Sequence, residues 1–313
     1  MRKYFVTGFY LLIVGGLLLL GGFIMGGNKS VVWNHGFQVV TKVDTTDPLN
    51  DFKNINLKGK DMDVSVRLGD RYKIRMTGDA SSLPRHEQKG DTLTVTGQNQ
   101  KNGTIGIGVD AINRARVTIT VPMDKALDNV HIRVSNGYIR MNDITIKNFV
   151  KSVKDMDYDS NIYMSDVTVD NVEKLNMYDT NLTLINTKLS NANIVANAYS
   201  RVEATNTTFL KSNINMDESD LIVKESNFDT LKAMANHSKI SISKTTMMNK
   251  NEFRMYSSGK FNAQDLTVEG MDLTSENGYV RYDDKKQGET YQIKPDAQNL
   301  LTVVTTKAPI TIN

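Results

Sequence analysis

Between Gly137 and Gly278 the chain repeats itself, and no other feature restricts its fold as much. Small residues open successive units at Gly137, Ser160, Thr180, Ser200, Ser219, Ser238, Gly259 and Gly278, at spacings of 23, 20, 20, 19, 19, 21 and 19 residues. Two residues into each unit stand Ile139, Ile162, Leu182, Val202, Leu221, Ile240, Phe261 and Val280, and two further on stand Met141, Met164, Leu184, Ala204, Val223, Ile242 and Ala263. Nine residues in come Ile146, Val169, Leu189, Phe209, Phe228, Met247 and Val268, and a third apolar pair follows, as in Leu175 and Met177 or Ile214 and Met216. Alternation of period two in three short runs means three strands per unit, each aiming every second side chain inward. A fixed period of this length is the signature of a solenoid.

Three inward-facing strands in about twenty residues describe one turn of a triangular, single-stranded parallel β-helix, each strand bonded to its counterpart one coil away, roughly 4.8 Å along the axis. A meander of hairpins fits worse. Tight hairpins favour Asn-Gly and Asp-Gly pairs, yet no glycine occurs from Tyr138 to Ser258. Nor does a proline occur between Pro122 and Pro295, as expected where every coil must offer its backbone N–H to a neighbour. Six residues into the units, Asp143, Asp166, Asn186, Asn206, Glu225, Lys244 and Asp265 form a polar column that reads as one corner of the triangle. One coil cannot bury enough apolar surface to offset the entropy of ordering its backbone. Stability must come from stacking, and both open ends need caps.

Ahead of the repeat the chain changes character. Tyr4 to Gly27 carries no charge and is long enough to cross the hydrocarbon core of a bilayer with some tilt. Arg2 and Lys3 precede it and only Lys29 follows closely, so the positive-inside rule predicts a cytoplasmic N-terminus and an extracellular remainder at the cell membrane. Ile24-Met25-Gly26-Gly27-Asn28 is a poor cleavage site, which favours an uncleaved single-pass anchor over a signal peptide. Gly22-x-x-x-Gly26 matches a helix-pairing pattern that a glycine-rich helix also produces by chance, and the oligomeric state stays open. The expected divisions are 1–27 for the cytoplasmic N-terminus and anchor, and 28–51 for a juxtamembrane stalk with Val31, Val32 and Trp33 at the headgroup level. After them come 52–116 for a β region with Gly-Asp corners capping the solenoid, 117–282 for the repeats, and 283–313 for a C-terminal coil and cap.

The formal net charge is +3, and Arg2 and Lys3 account for two of those charges, so nothing demands a nucleic acid partner. The chain has no cysteine, which excludes disulfides, a cysteine-borne lipid anchor and thiolate chemistry. Exported Gram-positive proteins commonly share that composition.

The run Val117-Thr118-Ile119-Thr120-Val121-Pro122, then Leu127-Asp128-Asn129-Val130-His131-Ile132, then Val134-Ser135-Asn136-Gly137-Tyr138-Ile139, resembles a bacterial adhesin-like domain family of unknown function. That family is also called toastrack-like and occurs in envelope proteins similar to the LiaG type. The likeness covers about Phe52 to Asn313. Beyond the first corner the chain departs from the family's Ser-Asn-Gly pattern until Asn277-Gly278 restores it. The resemblance implies a β-helix on the outer face of the membrane, tied to adhesion or envelope-stress signalling, with no catalytic residue to carry over.

The chemistry-bearing residues are sparse. Parallel β-helices house polysaccharide lyases and hydrolases, which is analogy of fold only. Asp143 and Asp166 stand one coil apart, but their column continues into Asn186 and Asn206, which reads as a solvated corner rather than an acid pair. The same pair offers a calcium ion too few oxygens. His35, His86, His131 and His237 have no metal-ligand spacing, and no cofactor is implied. Gly103-Thr104-Ile105-Gly106-Ile107-Gly108 reads as a flexible turn and not a phosphate loop. Two outward columns are the candidate ligand faces. The first is Thr145, Thr168, Lys188, Thr208, Asn227, Thr246 and Thr267, a ladder of mostly hydroxyl side chains at the coil spacing. The second is Tyr138 beside Arg140, followed by Tyr163. Three readings follow: a membrane-anchored envelope module that binds a wall polymer or an envelope protein, a passive surface spacer or adhesin stalk, and a carbohydrate-active enzyme.

Overall fold

A computed structural model describes residues 2–22, 24, 31–33, 36–39, 41–80, 82–97, 105–107, 114–123, 125–152 and 159–313. The period read from the sequence is the coil of a parallel β-solenoid. Ile162, Leu182, Val202 and Leu221 lie directly opposite one another on successive strands. So do Ile146, Val169, Leu189, Phe209, Phe228 and Met247, and Leu175, Ile194, Ile214, Ala233 and Phe253. All of these side chains are buried. A typical coil holds three strands, as in Asn181–Ile185, Lys188–Ser190 and Asn193–Asn197. In the two preceding units the second and third strands run together as Thr145–Lys151 and Thr168–Tyr178.

The corners explain which residues the sequence places there. Asp143, Asp166, Asn186, Asn206, Glu225, Lys244 and Asp265 all have φ between 49 and 57°, the left-handed region that lets the chain turn from one face to the next. Asn and Asp reach that region more easily than other non-glycine residues, because their side chains bond locally. At the corner that opens a unit a left-handed residue is followed by a small buried one, as in Glu218-Ser219 and His237-Ser238. Ser219 donates its amide to the Ser238 hydroxyl of the neighbouring coil at 3.1 Å, and Ser238 in turn donates to the Asn236 carbonyl at 2.7 Å. The arrangement recurs at Thr180, Ser200 and Asn197. The hydroxyls that open the units therefore satisfy corner amides that the ladder leaves unpaired. Inside, Phe209, Phe228, Phe253 and Phe261 stack with ring centroids 5.7, 6.0 and 5.3 Å apart.

At both ends the spatial order of coils departs from the sequence order. The strand Met62–Gly69 lies between Ala115–Pro122 and Tyr138–Asn142, parallel to both. Likewise Asn54–Lys60 lies between Thr92–Thr96 and Leu127–Ser135. At the other end Leu300–Thr305 fits between Lys250–Tyr256 and Gly270–Ser275, and Ile310–Ile312 between Lys260–Gln264 and Val280–Tyr282. The unit that opens at Gly278 thus does not rest on the unit before it: Ile310 separates Val280 from Phe261. A period reports that a segment is a coil, not which coil it touches. The outermost coils are closed by antiparallel strands, Lys73–Asp79 and Arg85–Lys89 at one end and Lys285–Gly288 and Thr290–Ile293 at the other. Charged side chains on such edges discourage pairing with a second chain.

The N-terminal helix spans Arg2–Gly22. Its stretch Tyr4–Gly22, 19 residues with mean hydropathy 2.1, is long and apolar enough to cross a membrane. Gly26, and with it the Gly22-x-x-x-Gly26 pattern, lies outside the described residues, as do Met25 and Gly27. Lys42–Pro48, in the segment expected to form a stalk, pairs antiparallel with Lys73–Asp79. Val31–Trp33 pairs with Phe37–Val39 and with Ile105–Ile107. The last pairing corrects the reading of Gly103 to Gly108 as a turn, for Ile105–Ile107 is a strand and the alternation Ile-Gly-Ile was its signal. Gly103, Thr104 and Gly108 lie outside the described residues.

Candidate functional site

The hydroxyl column exists as a continuous ladder. Thr145, Thr168, Lys188, Thr208, Asn227 and Thr246 are opposite one another strand by strand, and Thr267 bridges to Thr246. Each is exposed or half-buried. The strands that carry it are mostly three residues long, so this face is narrow. It presents repeated hydroxyl and amide groups about 4.8 Å apart.

The second candidate group lies on a different face. Tyr138–Asn142 and Asn161–Ser165 are adjacent and in register, which sets Arg140 opposite Tyr163. The Arg140 guanidinium lies 5.4 Å from the centroid of the exposed Tyr138 ring, and that of Arg114 lies 5.8 Å from it. Arg114 also donates to the Asn136 side-chain carbonyl at 2.7 Å, Asn136 donates to the Asp61 carboxylate, and the Tyr138 amide donates to Asp63 at 3.1 Å. The inserted strand Met62–Gly69 places Ser65 opposite Arg140 and Arg67 opposite Asn142. On its other side Arg116 stands opposite Asp63. Sequence reasoning found Tyr138, Arg140 and Tyr163 but missed Arg67, Arg114 and Arg116. The signal was weak: Arg67 and Arg116 are polar residues at outward positions of alternating strands, Arg114 directly precedes one, and the strands that gather them are not consecutive.

Asp143 and Asp166 occupy the left-handed corner. Asp166 accepts from the Ser165 hydroxyl at 2.6 Å and from the Asn186 amide at 3.1 Å, and these bonds hold its carboxyl below the usual carboxylate range. Asn186 in turn accepts from Asn206 at 2.8 Å, so the column is an amide ladder along one edge. His237 turns a corner, His86 approaches Asp47 at 3.8 Å, and His35 lies outside the described residues. Among the described residues, no three His, Cys, Asp or Glu side chains converge as a metal site would require.

One ionic pair was not foreseen. Lys151 occupies an inward position opposite Ile132 and Leu175, and its side chain is 1% exposed. Its amine contacts the Asp159 carboxylate and donates to the Asn176 carbonyl at 2.8 Å. Asp159 also accepts the amides of Ser160 at 2.7 Å and Tyr178 at 3.3 Å. Burial pulls the Lys151 amine below the ordinary lysine value despite its partner. The signal was a lysine at an alternation position that its neighbours fill with apolar residues. On the third face a groove of about 330 Å³ runs past Asn193, Asn213, Asn215 and Met234, with Arg254 beside Glu252.

The family model of Toastrack DUF4097 matches residues 52–312. A putative adhesin from Parabacteroides distasonis has a solved structure with a TM-score of 0.54 at 11% identity, over 87% of this chain and 97% of that one. A putative adhesin from Bacteroides fragilis aligns with a TM-score of 0.49 at 9% identity, again over 87% of this chain and 97% of that one. No curated protein matches the chain. Nothing in these likenesses supports the Gram-positive source that the cysteine-free composition suggested.

Proposed function

Because the chain belongs to the Toastrack DUF4097 family, we propose that it is a membrane-anchored, extracellular, non-catalytic module of the bacterial envelope that binds an envelope polymer or protein. In this reading Tyr4–Gly22 is the transmembrane anchor, with Arg2 and Lys3 on the cytoplasmic side. Residues 1–27 anchor the chain, 28–51 lead from the membrane, 52–116 and 283–313 close the two ends, and 117–282 carry the repeats, with Lys42–Pro48 joining the first cap.

The observation that carries the reading is the combination of that helix with a solenoid whose outward side chains form straight ladders. Such ladders are rigid and regularly spaced, and a repetitive or extended partner can meet the same group on each coil. The candidate faces are the column from Thr145 to Thr267 and the cluster around Tyr138, Arg140 and Tyr163.

Two measurements test it. Protease added to intact cells should cut the solenoid but spare a tag placed before Arg2. The full chain, immobilised in detergent, should retain a defined component from envelope extract. A tag destroyed by external protease refutes the orientation. Retention of nothing specific leaves a passive spacer and refutes the binding role.

A further inference from the structure

The non-sequential order of strands at the first end gathers basic groups that are far apart in the chain. Arg116 on Ala115–Pro122, Arg67 on Met62–Gly69 and Arg140 on Tyr138–Asn142 come from three neighbouring parallel strands, and Arg114 adjoins them. All four are exposed. By contrast Arg75 holds Asp44 at 2.6 Å, Arg201 holds Asp220 at 3.5 Å and Arg254 holds Glu252. Among the described residues none of the four on this patch makes an ion pair. Asp63, the acid in their midst, accepts the Tyr138 amide.

Guanidinium groups suit carboxylate and phosphate, because their planar fork donates two parallel hydrogen bonds to either. Adjacent strands are about 4.8 Å apart, so Arg116, Arg67 and Arg140 lie on three successive strands, with Arg140 two and Arg67 four residues further along the strand direction than Arg116. A chain carrying an acid group on each repeating unit can meet several of them at once. The Tyr138 ring, and the Tyr163 side chain opposite Arg140, supply flat aromatic surface of the kind on which the C–H faces of sugar rings pack. We propose that this patch binds an acidic linear polysaccharide, one that bears a carboxylate or phosphate on its sugar units. The inference rests on the envelope-binding reading above and names the ligand class and the residues.

The test uses the full chain in zwitterionic detergent, with binding measured to polygalacturonate, to a phosphorylated mannan, to neutral dextran, to single-stranded DNA and to phosphatidylglycerol vesicles. The expected result is binding to one or both acidic polysaccharides and not to dextran, with affinity that falls as salt rises. The first two arms separate a carboxylate from a phosphate ligand. The variant R67Q/R114Q/R116Q/R140Q should lose about tenfold or more in affinity, since several charge contacts go at once. Its thermal midpoint should stay close to the parent's. Should that variant fold poorly, R67Q and R140Q alone should each reduce the slope of log affinity against log salt by about one. K285Q/K286Q, on the exposed strand at the opposite end of the solenoid, should leave binding unchanged. Undiminished binding by the arginine variants, or dextran bound equally well, overturns the proposal. DNA or vesicles bound as tightly as the polysaccharides also overturn it. If the arginine variant still retains its component from envelope extract, the ligand assignment fails and the envelope-binding reading survives. If neither protein retains anything, that reading fails first.

Discussion

Replacing Lys151 by Met should destabilise the solenoid by about 3 to 5 kcal/mol, more than any exposed charge substitution in this chain. Methionine fills much of the volume between Ile132 and Leu175, so the loss is not one of packing. What the substitution leaves is a carboxylate at Asp159, 2% exposed, with only the Ser160 and Tyr178 amides as donors. Solvent cannot screen it. By contrast the exposed Lys73–Asp70 pair is screened by water and contributes little. The partner change Asp159→Asn should cost less than Lys151→Met, because an amide oxygen can still accept from the backbone and from the amine. The double change Lys151→Met/Asp159→Asn removes both charges and keeps the acceptor, and should recover most of the loss. The assay is urea unfolding of the detergent-solubilised chain followed by far-UV circular dichroism. With a slope of about 2 to 3 kcal/mol/M, the Lys151→Met midpoint should fall by roughly 1 to 2.5 M. A Lys151→Met midpoint equal to the parent's, or a double variant no better than Lys151→Met alone, refutes the claim that the buried charges depend on each other.

Three further outcomes are expected. Phe228→Ala opens the aromatic column between Phe209 and Phe253 and should cost about 3 to 5 kcal/mol in the same urea experiment. Gly137→Ala places a Cβ 2.1 Å from the Met62 carbonyl oxygen, so the inserted coil must shift, and stability should fall by about 1 to 3 kcal/mol. The Asp44 carboxyl, held below its ordinary value first by hydrogen bonds from Arg75, should titrate low by carbon-detected NMR and move back up in Arg75→Gln. Its folded pKa is depressed, so its contribution to stability is present above about pH 4 and is lost as pH falls through the lowered value.

Most of the architecture was legible because a solenoid writes its geometry into the chain. The alternation of Ile162 with Met164, or Leu182 with Leu184, fixes which side chains point inward, and the recurring Asp, Asn and Glu at the first corner mark where φ turns positive. Lys188 and Thr208 could be placed on one outward column for the same reason. The ends were not legible. Nothing local in Met62 to Leu68 tells that this strand belongs beside Tyr138 rather than at the outer rim, since its alternation fits any position in a parallel sheet. The grouping of Arg67 and Arg116 with Arg140 depends on that choice, so of the four arginines only Arg140 was visible as part of a surface site. Lys151 escaped for a different reason: alternation assigned it inward, while its charge argued for the surface, and only the position of Asp159 resolves the conflict.

The interleaving of Leu300–Thr305 and Ile310–Ile312 has a consequence for how such a chain can be made. A solenoid of simple succession can grow coil by coil as it emerges from a translocation channel, each new turn docking on a finished one. In this protein the turn that contains Gly270–Ser275 and Val280–Tyr282 emerges first, but its seat is formed by residues that appear later. It must wait, unseated, until the returning segment slides beneath it. The last stage of folding is therefore a single cooperative closure and not one more increment. Removing Leu300–Ile312 should detach two turns from the column instead of trimming one.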